Sequence, residues 1–128
     1  MRQCDNLILH CMDYRIQHVI GEWLKAEDLQ GNIDVVSFAG ACKNADFALQ
    51  NIAIGLEKHG VHRVFLTQHD DCAAYGGQAA FASRDAERKL LLAEMMALKG
   101  HILHNYPQVH VIPLYIKQLD GSWEIIEV

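Results

Sequence analysis

The sequence predicts an α/β fold built on a doubly wound, mostly parallel five-stranded sheet with helices on both faces. Three observations predict it. Short aliphatic and β-branched runs alternate with stretches of helical periodicity, and strands separated by helices pair in parallel through crossovers. Turn-forming Gly, Asn and Asp punctuate the junctions. Near the C-terminus, Asp120-Gly121 separates two strand-like runs, a hairpin signal that adds one antiparallel edge strand. The expected strand order is 2-1-3-4-5.

The elements follow in chain order. Leu7-Ile8-Leu9 is a short apolar strand ending at His10-Cys11. Ile16, Val19, Ile20, Trp23 and Leu24 mark one face of a helix over 16–29, stopped by Gly31-Asn32. Residues 33–38, IDVVSF, are β-branched and read as the second strand. A tight turn, Ala39-Gly40-Ala41, follows. Asn44 can cap a helix over 45–59, with Phe47, Ile52 and Leu56 on one face and Gly60 as its stop. The third strand, 63–68, delivers His69. A loop runs through Gly76-Gly77 to Ser83, which can cap the longest helix, 84–104. Asp85 and Glu87 lie early in it and Lys99, His101 and His104 late, as the helix dipole favours. Residues 109–116 form the fourth strand and 123–128 return antiparallel.

Size and charge narrow the function classes. A chain of 128 residues is expected to form one domain. Folding at this size buries roughly two-thirds of the unfolded surface, enough for a core without disulfide staples. The net charge of -5 argues against nucleic acid or an anionic membrane as partner. No apolar run approaches the ~20 residues that span a bilayer, and the first ten residues lack the features of a signal peptide. The cytoplasm is the expected compartment. There Cys4, Cys11, Cys42 and Cys72 stay reduced, which favours metal binding or burial over disulfides.

The predicted topology makes strands 1 and 3 neighbours, and the crevice at their C-terminal ends is where such sheets bind ligands. Cys11 ends strand 1. His69-x-x-Cys72 follows strand 3. Neighbouring strands lie about 4.8 Å apart, so these three side chains can meet at one ion with bonds of about 2.0 to 2.3 Å. A Cys2His set with one open position is the pattern of catalytic zinc; four closed ligands is that of structural zinc. Asp13 can fill the fourth position or accept a hydrogen bond from water there, and Arg15 can hold Asp13 by a charge-assisted pair. Taken singly, Cys11 is an ordinary buried strand cysteine and His69 a loop histidine; their matching register is what makes them ligands. Cys42 is either a further ligand or a buried thiol. Asp70-Asp71 is either a solvated turn or added negative charge over the site. His101-x-x-His104 is either a solvated helix end or a pair that can bind a second metal. Tyr14, Phe38 and Tyr75 are pocket-lining or packing residues.

These residues carry a resemblance. Cys11-Met12-Asp13-Tyr14-Arg15 resembles the C-x-D-x-R motif of the β-class carbonic anhydrases, and His69-Asp70-Asp71-Cys72 resembles their H-x-x-C motif. Phe38-Ala39-Gly40-Ala41 is similar to their Ala-Gly loop. The resemblance implies a zinc-binding domain over 1–128, with zinc on Cys11, His69 and Cys72 and a catalytic Asp13–Arg15 dyad. It implies reversible hydration of carbon dioxide to bicarbonate by zinc-bound hydroxide, in a homodimer or higher homo-oligomer. The sequence departs from the family pattern at Tyr14, where a small residue is common, and at Ala73-Ala74, where a Gly pair is usual. The other readings are a hydrolase of another small electrophile, such as carbonyl sulfide or carbon disulfide, and a structural or regulatory zinc domain closed by Asp13 or Cys42.

Overall fold

The structure is a computed structural model and describes residues 3–128. Five strands form one sheet in the order β2-β1-β3-β4-β5. They are β1 (Asn6–His10), β2 (Ile33–Ser37), β3 (Arg63–His69), β4 (His110–Leu119) and β5 (Ser122–Glu127). β1 pairs in parallel with β2 and β3, β3 pairs in parallel with β4, and β5 returns antiparallel along β4. The helices are α1 (Gln17–Ala26), α2 (Ala45–Lys58) and α3 (Arg84–Asn105). The predicted strand order holds. Among the described residues no helix is long and apolar enough to cross a membrane.

β1 and β3 are buried on both faces, which is why their sequences read as continuous apolar runs. Successive β3 side chains meet opposite layers. Phe65 packs edge-on against Trp23 of α1, with ring centroids 5.0 Å apart, whereas Gln68 donates to the Leu91 carbonyl of α3. Ile16, Ile20 and Leu29 seal the α1 side; Ile52, Leu91, Met95, Leu98 and Ile102 seal the α2–α3 side.

The helix caps are those expected. Asn44 Oδ1 accepts from the Phe47 amide and Ser83 Oγ from the Ala86 amide. Gly60 takes φ +73° just beyond α2. Three expectations need correction. The first helix begins as a 3₁₀ turn at Tyr14–Ile16 and ends at Ala26, before the buried Leu29. Phe47 is 46% exposed and stacks on Phe38 outside the core, so Ala48, Ile52 and Gly55 form the buried face of α2. β4 extends three residues beyond the predicted end, to Leu119, because β5 supplies its hydrogen-bond partner.

Asp70 carries the sharpest correction. It is not a solvated turn residue but fully buried. Its carboxylate accepts from Arg88 Nε (2.9 Å) and Nη2 (2.6 Å), the Tyr115 hydroxyl (2.8 Å) and the Gln118 amide (2.8 Å). Burial pushes its pKa up, but Arg88, Gln118 and Tyr115 outweigh it and hold the carboxyl below its ordinary value. A depressed folded-state pKa stabilises the fold above the unfolded value of about 3.9 and loses that contribution as pH falls through the folded value. Asp70→Asn should therefore lower unfolding free energy by about 3 kcal/mol at neutral pH, since it leaves Arg88 without its charge partner. Chemical denaturation should show the gap to wild type closing as the pH drops below about 4.

Candidate metal centre

The site forms where β1 and β3 end side by side. Leu9 pairs with Leu66, so Cys11 and His69 emerge from the same end of adjacent strands. The chain after β1 is tied to the turn after β2: Met12 N–H donates to the Phe38 carbonyl (3.2 Å) and Gly40 N–H to Cys11 Sγ (3.4 Å). Gly40 is needed there twice over. Its φ is +82°, and a Cβ would lie 2.9 Å from that of Ala74. After β3, Asp70 N–H donates to the Ile116 carbonyl, and Asp71 turns the backbone through φ +59°, bringing Cys72 back toward His69. The Cys72 carbonyl then accepts from the Tyr75 and Gly77 amides.

Cys11, His69 and Cys72 are brought together as the sequence spacing predicts. All three are buried, and their ligand atoms lie within 4.8 Å of one another. The two sulfurs are 3.9 Å apart. That is too far for a disulfide, at about 2.05 Å, and close to the ~3.8 Å between two thiolates on one tetrahedral zinc. His69 Nδ1 lies 2.7 Å from the Asp70 carbonyl, which can only accept, so Nδ1 carries the proton and Nε2 the lone pair. That Nε2 is buried without a hydrogen-bond partner. A buried acceptor with no partner among the described residues, beside two sulfurs, fits a metal ion.

The sulfurs share charge unequally. The Cys72 thiol beside it holds Cys11 below the ordinary thiol range against the effect of burial, with His69 and the Gly40 amide helping. Cys72 is pushed up, first by Cys11 and then by burial. Burial disfavours a charged His69, yet the Cys11 thiolate outweighs it and raises its pKa.

Asp13 and Arg15 form the expected pair. Arg15 Nε lies 3.1 and 3.2 Å from the two Asp13 oxygens and Nη2 2.7 Å from Oδ2, and the Arg15 amide donates to Oδ1 at 2.9 Å. Arg15 holds the Asp13 carboxyl well below the usual range, so it stays ionised and only accepts. Asp13 Oδ2 is 3.9 Å from His69 Nε2. A cavity of 530 Å³ opens over Cys11, Asp13 and Arg15, walled by Met12, Tyr14, Ala39, Ala73 and Ala74. A smaller hollow of 330 Å³ around Trp23, Arg63 and Phe65 touches none of these residues.

Other candidates fall elsewhere. Cys42 donates to the Thr67 carbonyl at 3.5 Å and is not one of the clustered donors; burial pushes its thiol well up. Tyr75 bonds Gln68 and Glu94 instead of lining the cavity. Two contacts to Arg15 were not foreseen, although Asp71 was weighed as added charge over the site. Asp71 holds Arg15 through Nη1 and shares Nη2 with Asp13. Trp123 lies under the Arg15 guanidinium (5.4 Å) and edge-on to His69 (6.1 Å). The adjacency of Asp71 to Cys72 was a signal for the first; for Trp123 nothing local in the sequence was.

The family model described as "Putative carbonic anhydrase" matches residues 1–128. The chain belongs to that family. Its fold is that of the β-carbonic anhydrases. An uncharacterized protein of Rickettsia conorii is 25% identical over 142 residues, covering 98% of this chain and 74% of that protein. The carbonic anhydrase from Glaciozyma antarctica superposes with a TM-score of 0.61 at 17% identity, over 99% of this chain and 83% of that one. A tetrameric β-carbonic anhydrase from Sordaria macrospora gives 0.56 at 12%, over 100% and 82%. At such identities the structural likeness is one of fold.

In protein stripped of metal by a chelator, ultraviolet thiolate absorbance should persist well below the ordinary thiol range. Cys11→Ser, which leaves one sulfur where two interacted, should return the first thiolate toward the ordinary thiol range. A first thiolate appearing only in the ordinary thiol range, about 8.5, would contradict the assignment.

Proposed function

We propose that this member of the carbonic anhydrase family is a zinc-dependent lyase that reversibly hydrates carbon dioxide to bicarbonate. The observation that carries the reading is the buried, unpartnered His69 Nε2 facing two sulfurs, with an ionised Asp13 beside it. Cys11, His69 and Cys72 would hold the zinc, residues 1–128 acting as one zinc-binding domain. Two thiolates and a neutral imidazole balance its double charge. A zinc ion held there supplies Lewis acidity, the chemistry that makes water nucleophilic near neutral pH.

The remaining steps fall to the chain's own groups. Asp13, kept ionised by Arg15, accepts a hydrogen bond from the attacking water and so orients it. Arg15 keeps that carboxylate from rotating. Met12, Ala39, Ala73 and Ala74 give an uncharged, apolar substrate a surface to rest on. The cysteines must remain reduced, as they do in the cytoplasm. The Sordaria relative is described as tetrameric. We extend homo-oligomerisation, as a dimer or higher, to this chain.

A second reading keeps the metal centre and changes the substrate to carbonyl sulfide or carbon disulfide. The cavity rim favours it: Met12 and Tyr14 are 64% and 86% exposed there, a soft, aromatic surface suited to sulfur. A substrate panel on one zinc-loaded preparation separates the two.

Zinc-loaded protein should hold one metal per chain and show chelator-sensitive hydration in a stopped-flow indicator assay. Asp13→Ala should lower kcat about 10²-fold with zinc retained, whereas Cys72→Ser should lose the zinc itself. Zinc-replete protein that hydrates no faster than buffer, and is indifferent to Asp13→Ala, would overturn the reading.

A further inference from the structure

We propose that Asp71 is a positioning residue: it anchors Arg15 independently of Asp13, and so decides whether the Asp13 carboxylate stays on Arg15 or turns to the metal. The inference rests on the metal-centre reading above and adds the element that sets its open or closed state.

The geometry runs as a chain of contacts from α3 to the cavity. Glu87, buried on α3 and bonded to Arg84, accepts the Asp71 amide at 2.7 Å. Asp71 Oδ1 accepts the Gln78 amide at 2.7 Å. Its Oδ2 takes Arg15 Nη1 at 3.0 Å, and its main-chain carbonyl takes Nη2 at 2.8 Å. Trp123 closes a further side of the guanidinium. Arg15 thus keeps partners of its own whether or not Asp13 stays with it.

The ordinary view is that a half-exposed ion pair contributes little, because two flexible side chains must be immobilised and water screens them. Here the ordering is already done. The Asp71 backbone is held at φ +59° by its amide bond to Glu87, and its side chain is held by Gln78. Arg15 is gripped by a carboxylate and a carbonyl at once, a geometry that sets direction as well as charge. Asp13 Oδ2 lies 3.9 Å from His69 Nε2, beside the donor cluster and outside it. A fixed Arg15 opposes a turn of that carboxylate to the metal; a loosened Arg15 would follow Asp13 or release it.

Asp71→Asn is the discriminating variant. Asparagine tolerates the left-handed backbone, so the turn carrying His69 and Cys72 survives. Its amide carries an oxygen at only one of the two carboxylate positions, so either Gln78 N–H or Arg15 Nη1 meets an NH2 donor instead. The probe is azide, titrated at fixed pH into cobalt-loaded full-length protein and followed by visible absorbance. Azide needs the position that Asp13 would otherwise occupy. Asp71→Asn should weaken azide binding by about tenfold, the scale of one charge-assisted hydrogen bond. In an Asp13→Ala background the same substitution should change nothing. Should Asp71→Asn fail to fold, Glu87→Gln, which loosens the Asp71 amide, should weaken azide in the same direction. Azide affinity equal to wild type in the folded variant, or an equal weakening with Asp13 already removed, would overturn the proposal. Absence of thiolate-to-cobalt absorbance in the wild type would overturn the metal centre itself, and this inference with it.

Discussion

Parallel pairing of β1 with β3 is the constraint on which the site depends. From Asn6–Arg63 to Leu9–Leu66 the two strands keep register, and both stop at the same edge of the sheet. Residues 58 positions apart in the chain, Cys11 and His69, therefore leave the sheet as neighbours. No ion is needed to explain the strand pairing, which the buried Leu7, Ile8, Leu9, Val64 and Leu66 stabilise by apolar burial. The donor cluster is a by-product of the core, assembled by strand pairing and apolar burial.

Around that edge the fold concentrates buried charge. Asp70 and Glu87 are almost wholly inaccessible, and each is satisfied: Asp70 by Arg88, Tyr115 and Gln118, Glu87 by Arg84 and the Asp71 amide. Satisfied in this way, buried carboxylates fix geometry without a large net penalty. Asp70 holds the β3–β4 edge and offers its carbonyl to His69 Nδ1; its neighbour Asp71 faces the other way, to Arg15. Two consecutive acids thus serve the imidazole and the guanidinium separately. His69 Nε2 is the exception that makes the centre recognisable, a buried acceptor with nothing donating to it.

Much of this was legible in the residues. Periodicity and turn chemistry marked the five strands, the helix caps at Asn44 and Ser83, and the hairpin at Asp120-Gly121. Strand order followed from helical crossovers, and the Cys11–His69–Cys72 cluster followed from strand order. What misled was side-chain direction. Phe47 sits at a helix position whose angle points it past the edge of the core onto Phe38, and apolarity alone does not reveal that. Glu87 looked like a helix-dipole acid, yet the Asp71 amide and Arg84 draw it inward. Asp70 looked solvated because its partners, Arg88, Tyr115 and Gln118, lie 18 to 48 residues away.

By itself the sequence determined which backbone segments pair, where they stop, and which donors stand at the stopping points. These are local matters of periodicity, capping and spacing, carried by residues within a few positions of one another. Only the tertiary structure decided that Cys42 turns to Thr67 and not to the cluster, and that Asp71 and Trp123 flank Arg15. The physical reason is that a side chain's partner is set by packing between elements distant in sequence, and direction across a packed core leaves no trace in the order of residues along one strand.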